Sequence, residues 1–276
     1  MGAQVCQGRE DHAGRRGMRR PLARTGLAVC AAVVLVAGCK GGVDKVDGAD
    51  GAKGGAASGR TPASDGHAVS PLKNPDGTKP GLAPLTSDAD RAAARKIIAT
   101  VATKGRGPKT GYDRDEFGYA WMDSVDGVPY AHNGCDTRND LLKRDGQKVA
   151  FRKGSNCVVT SMTLADPYTG RTIQWTKAHA TTVQIDHVMP LSYDWQMGAA
   201  HWTKEKREQI ANDPLNLIPV DGPANGAKSD SGPATWLPPS KDIRCAYSVR
   251  FAQVSLKYKL PVTTADKRMM LKQCGG

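Results

Sequence analysis

Apolar and polar positions follow several periods along this chain, and each change of period marks an element. The first apolar run, residues 27–38 (LAVCAAVVLVAG), is twelve residues long. That is too short for the roughly 18–20 residues that cross a bilayer. It fits the apolar stretch of a signal peptide, with Arg19, Arg20 and Arg24 as its positive flank. Beyond the capping sequence Thr86-Ser87-Asp88, the residues Ala94, Ile97, Ile98 and Val101 recur at helical spacing. Asp136-Thr137 predicts the cap of a second helix through DTRNDLLKRD, with Leu141 and Leu142 turned inward. Residues 158–164 and 172–175 alternate with period two around Asp166-Pro167-Tyr168-Thr169-Gly170, which predicts a hairpin. A third strand over 182–185 runs into Asp186-His187, and Pro190 predicts a break just beyond it. Helical spacing returns over 203–211, followed by an apolar strand over 215–220. Asp221-Gly222-Pro223 then supplies a cap and a first-turn proline for a further helix, with more helix toward the C-terminus. This succession predicts an α+β domain over residues 86–276, with no internal repeat.

Composition divides the chain in the same way. All fifteen aromatic residues fall after residue 110. Residues 40–85 hold ten Gly and five Pro without an aromatic, too little apolar surface to offset the entropy of ordering, so they read as a disordered tether. The formal charge is +12, of which residues 86–276 carry 27 basic against 20 acidic side chains. A surplus of that sign excludes an acidic solvating protein and favours polyanions or membrane surfaces as partners.

Cysteines fix the compartment. Val36-Ala37-Gly38-Cys39 resembles a bacterial lipobox, which implies removal of residues 1–39 and lipidation of Cys39, with Met18 a second candidate start. Acyl chains on Cys39 would hold the exported protein on the outer face of the cell membrane. Cys6 and Cys30 lie in the removed segment. The remaining Cys135, Cys157, Cys245 and Cys274 are even in number in an exported domain and read as two disulfides. Three connectivities are open, and proximity in sequence favours Cys135–Cys157 with Cys245–Cys274. A zinc site would want a C-x₂₋₄-C pair, and the sequence has none.

The chemistry-bearing stretch runs from Val183 to Asp230. Asp186 and His187 end one strand, a second strand pairs back about thirty residues later, and Asn225 and Lys228 share a face of the helix that follows. A carboxylate, an imidazole, a carboxamide and an ammonium can therefore converge. Asp186 and Asn225 offer the oxygen ligands that a hard divalent cation prefers. A neutral His can deprotonate a water for attack on phosphorus, and Lys228 can bind a phosphate as a point charge.

The ordered series of a strand ending in DH, Pro190, then N-L and N-x₂-K on a helix resembles the HNH nucleases of the ββα-metal superfamily. More specifically, GCDTRND, DPYTG, NDPLNL, DGPANGAKSD, ATWLPP and RCAY across residues 112–274 resemble the C-terminal nuclease domain of GmrSD-type restriction endonucleases, in a secreted form. The resemblance implies a ββα-metal core with an additional N-terminal hairpin and flanking helices, stapled by disulfides. It implies His187 as general base, Asp186 and Asn225 as metal ligands, and Asn216 as the residue that orients His187 through the backbone. Lys228 then lies near the scissile phosphate, and Arg138, in a segment that matches the family, is read either as a second phosphate contact or as half of a buried structural ion pair. Asn225 stands where many members have His; the HNH domain of the CRISPR effector nuclease has the same Asn variant, and a carboxamide there favours Mg²⁺ or Mn²⁺ over Zn²⁺. The implied activity is metal-dependent hydrolysis of nucleic acid, DNA before RNA, by a monomeric endonuclease. The alternative is a non-enzymatic surface lipoprotein that binds DNA or a cell-wall polymer, and a toxin role would add an immunity protein as partner. Trp121, Trp175, Trp195, Trp202 and Trp236 are read as core residues.

Overall fold

A computed structural model describes residues 66–276. Residues 1–65 lie outside it, and with them the expected signal peptide, Cys39 and the first part of the expected tether. Seven α-helices and five strands make up the described residues. The helices are α1 (Asp88–Ala99), α2 (Thr137–Asp145), α3 (Leu191–Met197), α4 (Lys204–Asn212), α5 (Gly222–Lys228), α6 (Arg244–Tyr258) and α7 (Thr264–Gln273). The strands are β1 (Gln147–Phe151), β2 (Val159–Ala165), β3 (Thr172–Thr176), β4 (Val183–His187) and β5 (Leu217–Asp221).

The expected hairpin is β2–β3, paired from Ser161↔Thr176 to Ala165↔Thr172. A strand that the pattern did not predict, β1, extends it to an antiparallel sheet of order β1-β2-β3. β1 follows α2 after a single residue and has irregular register against β2. Lys148 there takes φ of +51°, so no clean alternation announces the strand. β4 and β5 form a separate antiparallel pair, with Asp186 opposite Ile218 and His187 opposite Leu217. The chain turns directly from β5 into α5, whose first turn is capped by the Asp221 carboxylate accepting from Ala224 N at 2.9 Å. These three elements are the ββα unit expected around Asp186 and His187.

Two apolar clusters hold this frame. α2 lays Leu141 and Leu142, both fully buried, against Val159, Leu164, Trp175, Ile185 and Leu217 of the strands. Burying each leucine contributes about 1.5–3 kcal/mol. The larger cluster joins α1, α3, α6 and α7, with Ala94 and Ile98 of the predicted α1 stripe at its centre and Tyr247, Phe251 and Val254 from α6. α3 escaped the sequence pattern because six of its seven residues are buried, which leaves no polar face to set a period. Disulfides join Cys135 to Cys157 and Cys245 to Cys274, the pairing that sequence proximity favours.

The structure corrects the domain boundary at residue 86. Residues 66–85, expected to continue the tether, are packed on the domain. Leu82 and Leu85 join the large cluster, and the backbone of the segment is bonded by side chains from far along the chain. Arg144 donates to Gly77 O at 2.7 Å, Arg250 to Asn74 O at 3.2 Å, and Gln253 to Pro71 O at 2.8 Å. Gly77 sits at φ +74° with its α-carbon against Leu215 backbone, where a Cβ would collide. Composition predicted disorder because the groups that offset the ordering entropy belong to α2, α6 and the loop before β5, not to the segment itself.

Candidate active site

Strand alternation would send Asp186 and His187 to opposite faces of β4. β4 ends at His187, and both residues line one cavity of about 500 Å³ with Trp121, Arg138, Gln184 and Asn225 on its walls. The pairing to β5 stops at Leu217, and the chain beyond His187 is held instead by Asn216. That side chain is fully buried. Its Oδ1 accepts from Met189 N at 2.8 Å, and its Nδ2 donates to Met189 O and to Ile210 O at 3.2 and 3.3 Å. One carboxamide therefore ties the turn after His187 to the end of α4.

The end of α4 is what holds the imidazole. His187 Nε2 lies 3.0 Å from Ala211 O, so Nε2 carries the proton and Nδ1 is left as an acceptor. The ring is 7 % exposed and lies parallel to the Trp121 indole, at 11° with centroids 6.2 Å apart. Burial, aided by the Arg114 charge, pushes the imidazole down to about 3, so it is neutral throughout the physiological range.

Asp186 is enclosed as well. Its Oδ1 meets Lys228 Nζ at 2.9 Å and its Oδ2 accepts from the Tyr168 hydroxyl at 2.5 Å. Burial raises the carboxyl, while the Lys228 charge and the Tyr168 hydrogen bond pull it back. Lys228 departs from expectation. Expected to face a substrate phosphate, it is fully buried and its ammonium also donates to His187 O at 2.8 Å. α5 is a two-turn helix folded back on its own strands, so the face shared with Asn225 divides. Asn225 reaches the cavity, and Lys228 is committed beneath it.

The other anticipated residues lie where a substrate could meet them. Asn225 Nδ2 donates to Gln184 Oε1 at 2.8 Å, leaving Oδ1 as the acceptor of that carboxamide. Arg138 lines the cavity and is anchored by donation to Val183 O at 3.2 Å, and burial lowers its pKa. Sequence reasoning missed Tyr168, although DPYTG was among the recognised segments, and it gave no site role to Arg114, in a segment that matches the family, or to Trp121, both of which line the cavity. Trp121 packs against the smaller apolar cluster, as expected of a core residue, and lines the cavity as well. Trp175 and Trp195 are 2 % and 8 % exposed, whereas Trp121 is only partly buried and forms a cavity wall.

Among the described residues no cluster of three His, Cys, Asp or Glu side chains could cage a metal ion. The donor set instead fits a hard cation that keeps most of its waters. Asp186 retains lone pairs beyond the two bonds it accepts, Asn225 offers a neutral oxygen on the same cavity, and substrate phosphate would complete the sphere.

Residues 136–273 match the family of GmrSD restriction endonuclease C-terminal domains. A protein of Arthroderma benhamiae named as an uncharacterized secreted protein is 38% identical over 188 residues, which span 66% of this chain and 85% of that protein. No solved structure matches the chain.

Proposed function

The chain belongs to the GmrSD restriction endonuclease C-terminal domain family, and from that premise we propose that it hydrolyses phosphodiester bonds of nucleic acid, DNA before RNA, in the cavity at His187. The observation that carries the reading is the state of His187. Its Nε2–H is spent on Ala211 O, which leaves Nδ1 as the acceptor that can take a proton from water. General-base action of this kind contributes roughly 10²–10⁴ in rate. Asn216 acts through the backbone, since the carbonyls it bonds frame both the turn after His187 and the α4 end that grips the imidazole. Asp186 and Asn225 are the residues that would hold Mg²⁺ or Mn²⁺. When bound there, such an ion supplies Lewis-acid stabilisation of the phosphate worth several kcal/mol. Lys228 pulls the burial-raised Asp186 carboxyl back toward its ionised form and fixes it, a positioning role in place of the phosphate contact first expected. Arg138, with Arg114, binds the phosphates on either side.

Export completes the reading. Two disulfides and a relative named as secreted support it, and lipidation of Cys39 would keep the enzyme at the cell surface. Cys39→Ala should then release it to the medium. The activity is tested with plasmid DNA and RNA in Mg²⁺ or Mn²⁺. Wild type should nick and degrade DNA, and His187→Ala or EDTA should abolish this. Cleavage that survives either treatment, or its absence in wild type, sinks the proposal.

A further inference from the structure

Resting on the nuclease reading, we infer that this site takes single-stranded or locally unpaired polynucleotide, with the Trp121 indole as the platform on which an unpaired base stacks. His187 and Asp186 are 7 % and 5 % exposed, so a scissile phosphate must descend into the cavity to reach them. At about 500 Å³ the cavity falls within the roughly 300–1,000 Å³ of sites that enclose one small ligand, the scale of one or two nucleotides. A continuous duplex keeps its bases stacked and presents backbone and base edges but no base face. The wall beside His187 is aromatic, and only a base out of the stack can reach it.

Three features of Trp121 point the same way. It lines the main cavity and also a smaller depression shared with Arg114 and Tyr119, the latter 65 % exposed, so a second ring and a guanidinium continue the track outward. Stacking rings interleaved with cations are the ordinary equipment of single-strand channels. Its backbone is at φ +63°, which costs on the order of 1–3 kcal/mol for a non-glycine residue. The surroundings hold it there, because Met122 N donates to Asn212 Oδ1 at 2.9 Å and Thr137 Oγ1 donates to Met122 O at 2.9 Å. The indole packs against the smaller apolar cluster on one side, and the held backbone keeps its remaining surface at the cavity wall.

The test measures binding in EDTA, by anisotropy of a labelled 12-nucleotide single-stranded DNA and of the duplex of the same sequence. Wild type should bind the single strand at least about tenfold more tightly. Trp121→Leu, which keeps apolar volume without an aromatic face, should weaken single-strand binding roughly 5- to 150-fold, from about 1–3 kcal/mol per stacked base. It should change duplex binding less than about twofold, and Trp121→Phe should retain most of the single-strand affinity. Equal binding of the two forms, no binding of either, or a loss at Trp121→Leu shared equally by both would overturn the inference. Cleavage in Mg²⁺ separates the two claims. Equal cleavage of single strand and duplex overturns the preference and leaves the nuclease standing, whereas no cleavage of any substrate sinks the nuclease and leaves the binding result to decide the stacking.

Discussion

Lys228→Met is the substitution whose outcome distinguishes a buried positioning residue from an exposed phosphate contact. The ammonium is fully enclosed and donates to Asp186 Oδ1 at 2.9 Å and His187 O at 2.8 Å. Methionine keeps most of the volume and removes the charge, so the Asp186 carboxylate is left buried with only the Tyr168 hydroxyl to answer it. Removing one partner of a buried ion pair costs about 3–5 kcal/mol. In a domain of this size each kcal/mol lowers Tm by about 2–4 °C, so the melting point should fall by roughly 6–20 °C. Urea titration followed by tryptophan fluorescence under non-oxidising, non-reducing conditions measures the free energy directly. The double variant Asp186→Asn/Lys228→Met removes both charges and should recover at least half of the loss, since an uncompensated charge costs more than a neutral pair. A loss under about 1 kcal/mol in the single variant would refute the reasoning. That is the result for a solvated lysine, and it would come with a raised KM if Lys228 touched the substrate.

Other expectations follow from the same geometry. Asp140 is 8 % exposed, accepts one bond from Asn133 at 3.0 Å, leaves Oδ2 buried without a partner, and is pushed up to about 7 by burial. A carboxyl whose folded pKa lies above its unfolded value adds stability below the unfolded pKa and loses it as pH rises through the folded one. Asp140→Asn should therefore be the more stable protein at pH 8, on the order of 1–3 kcal/mol by urea titration, with the difference gone near pH 4. The bridges close loops of 22 and 29 residues in sequence separation, and replacing either pair by serine should cost about 3 kcal/mol, read as a shift in denaturation midpoint. A chain beginning at residue 66 should melt as the intact protein does, whereas one beginning at 86 should melt well below it, because the backbone partners of Arg250 and Gln253 are lost. Equal melting of the two would restore the tether reading of 66–85.

What was legible in the sequence is what local chemistry writes there. The β4–β5–α5 unit announces itself through an apolar strand, a second strand and an Asp-Gly-Pro cap within forty-six residues. The capping residues Ser87, Asp136 and Thr203 mark their helices because each accepts from its own first turn. Features made by distant partners were not legible. The segment 66–85 is ordered by Arg144, Arg250 and Gln253, and Lys228 looks like a solvated helix residue until Asp186 and His187 close over it. Tyr168 reaches Asp186 from the β2–β3 turn, and Trp121 reaches His187 across an irregular loop with no period to read. The same holds within the site. His187 and Asn216 are named by motif, yet the Ala211 carbonyl that holds the imidazole belongs to a backbone atom that no side-chain pattern encodes.

The central claim is that His187 acts as the base of a nuclease. The most direct measurement is the rate of DNA cleavage by wild type and His187→Ala at equal folded concentration, with Mg²⁺ and with EDTA. The account predicts cleavage by wild type in Mg²⁺, a fall of at least about 10²-fold on His187→Ala, and none in EDTA. Cleavage undiminished by His187→Ala, or equal with and without metal, would contradict it.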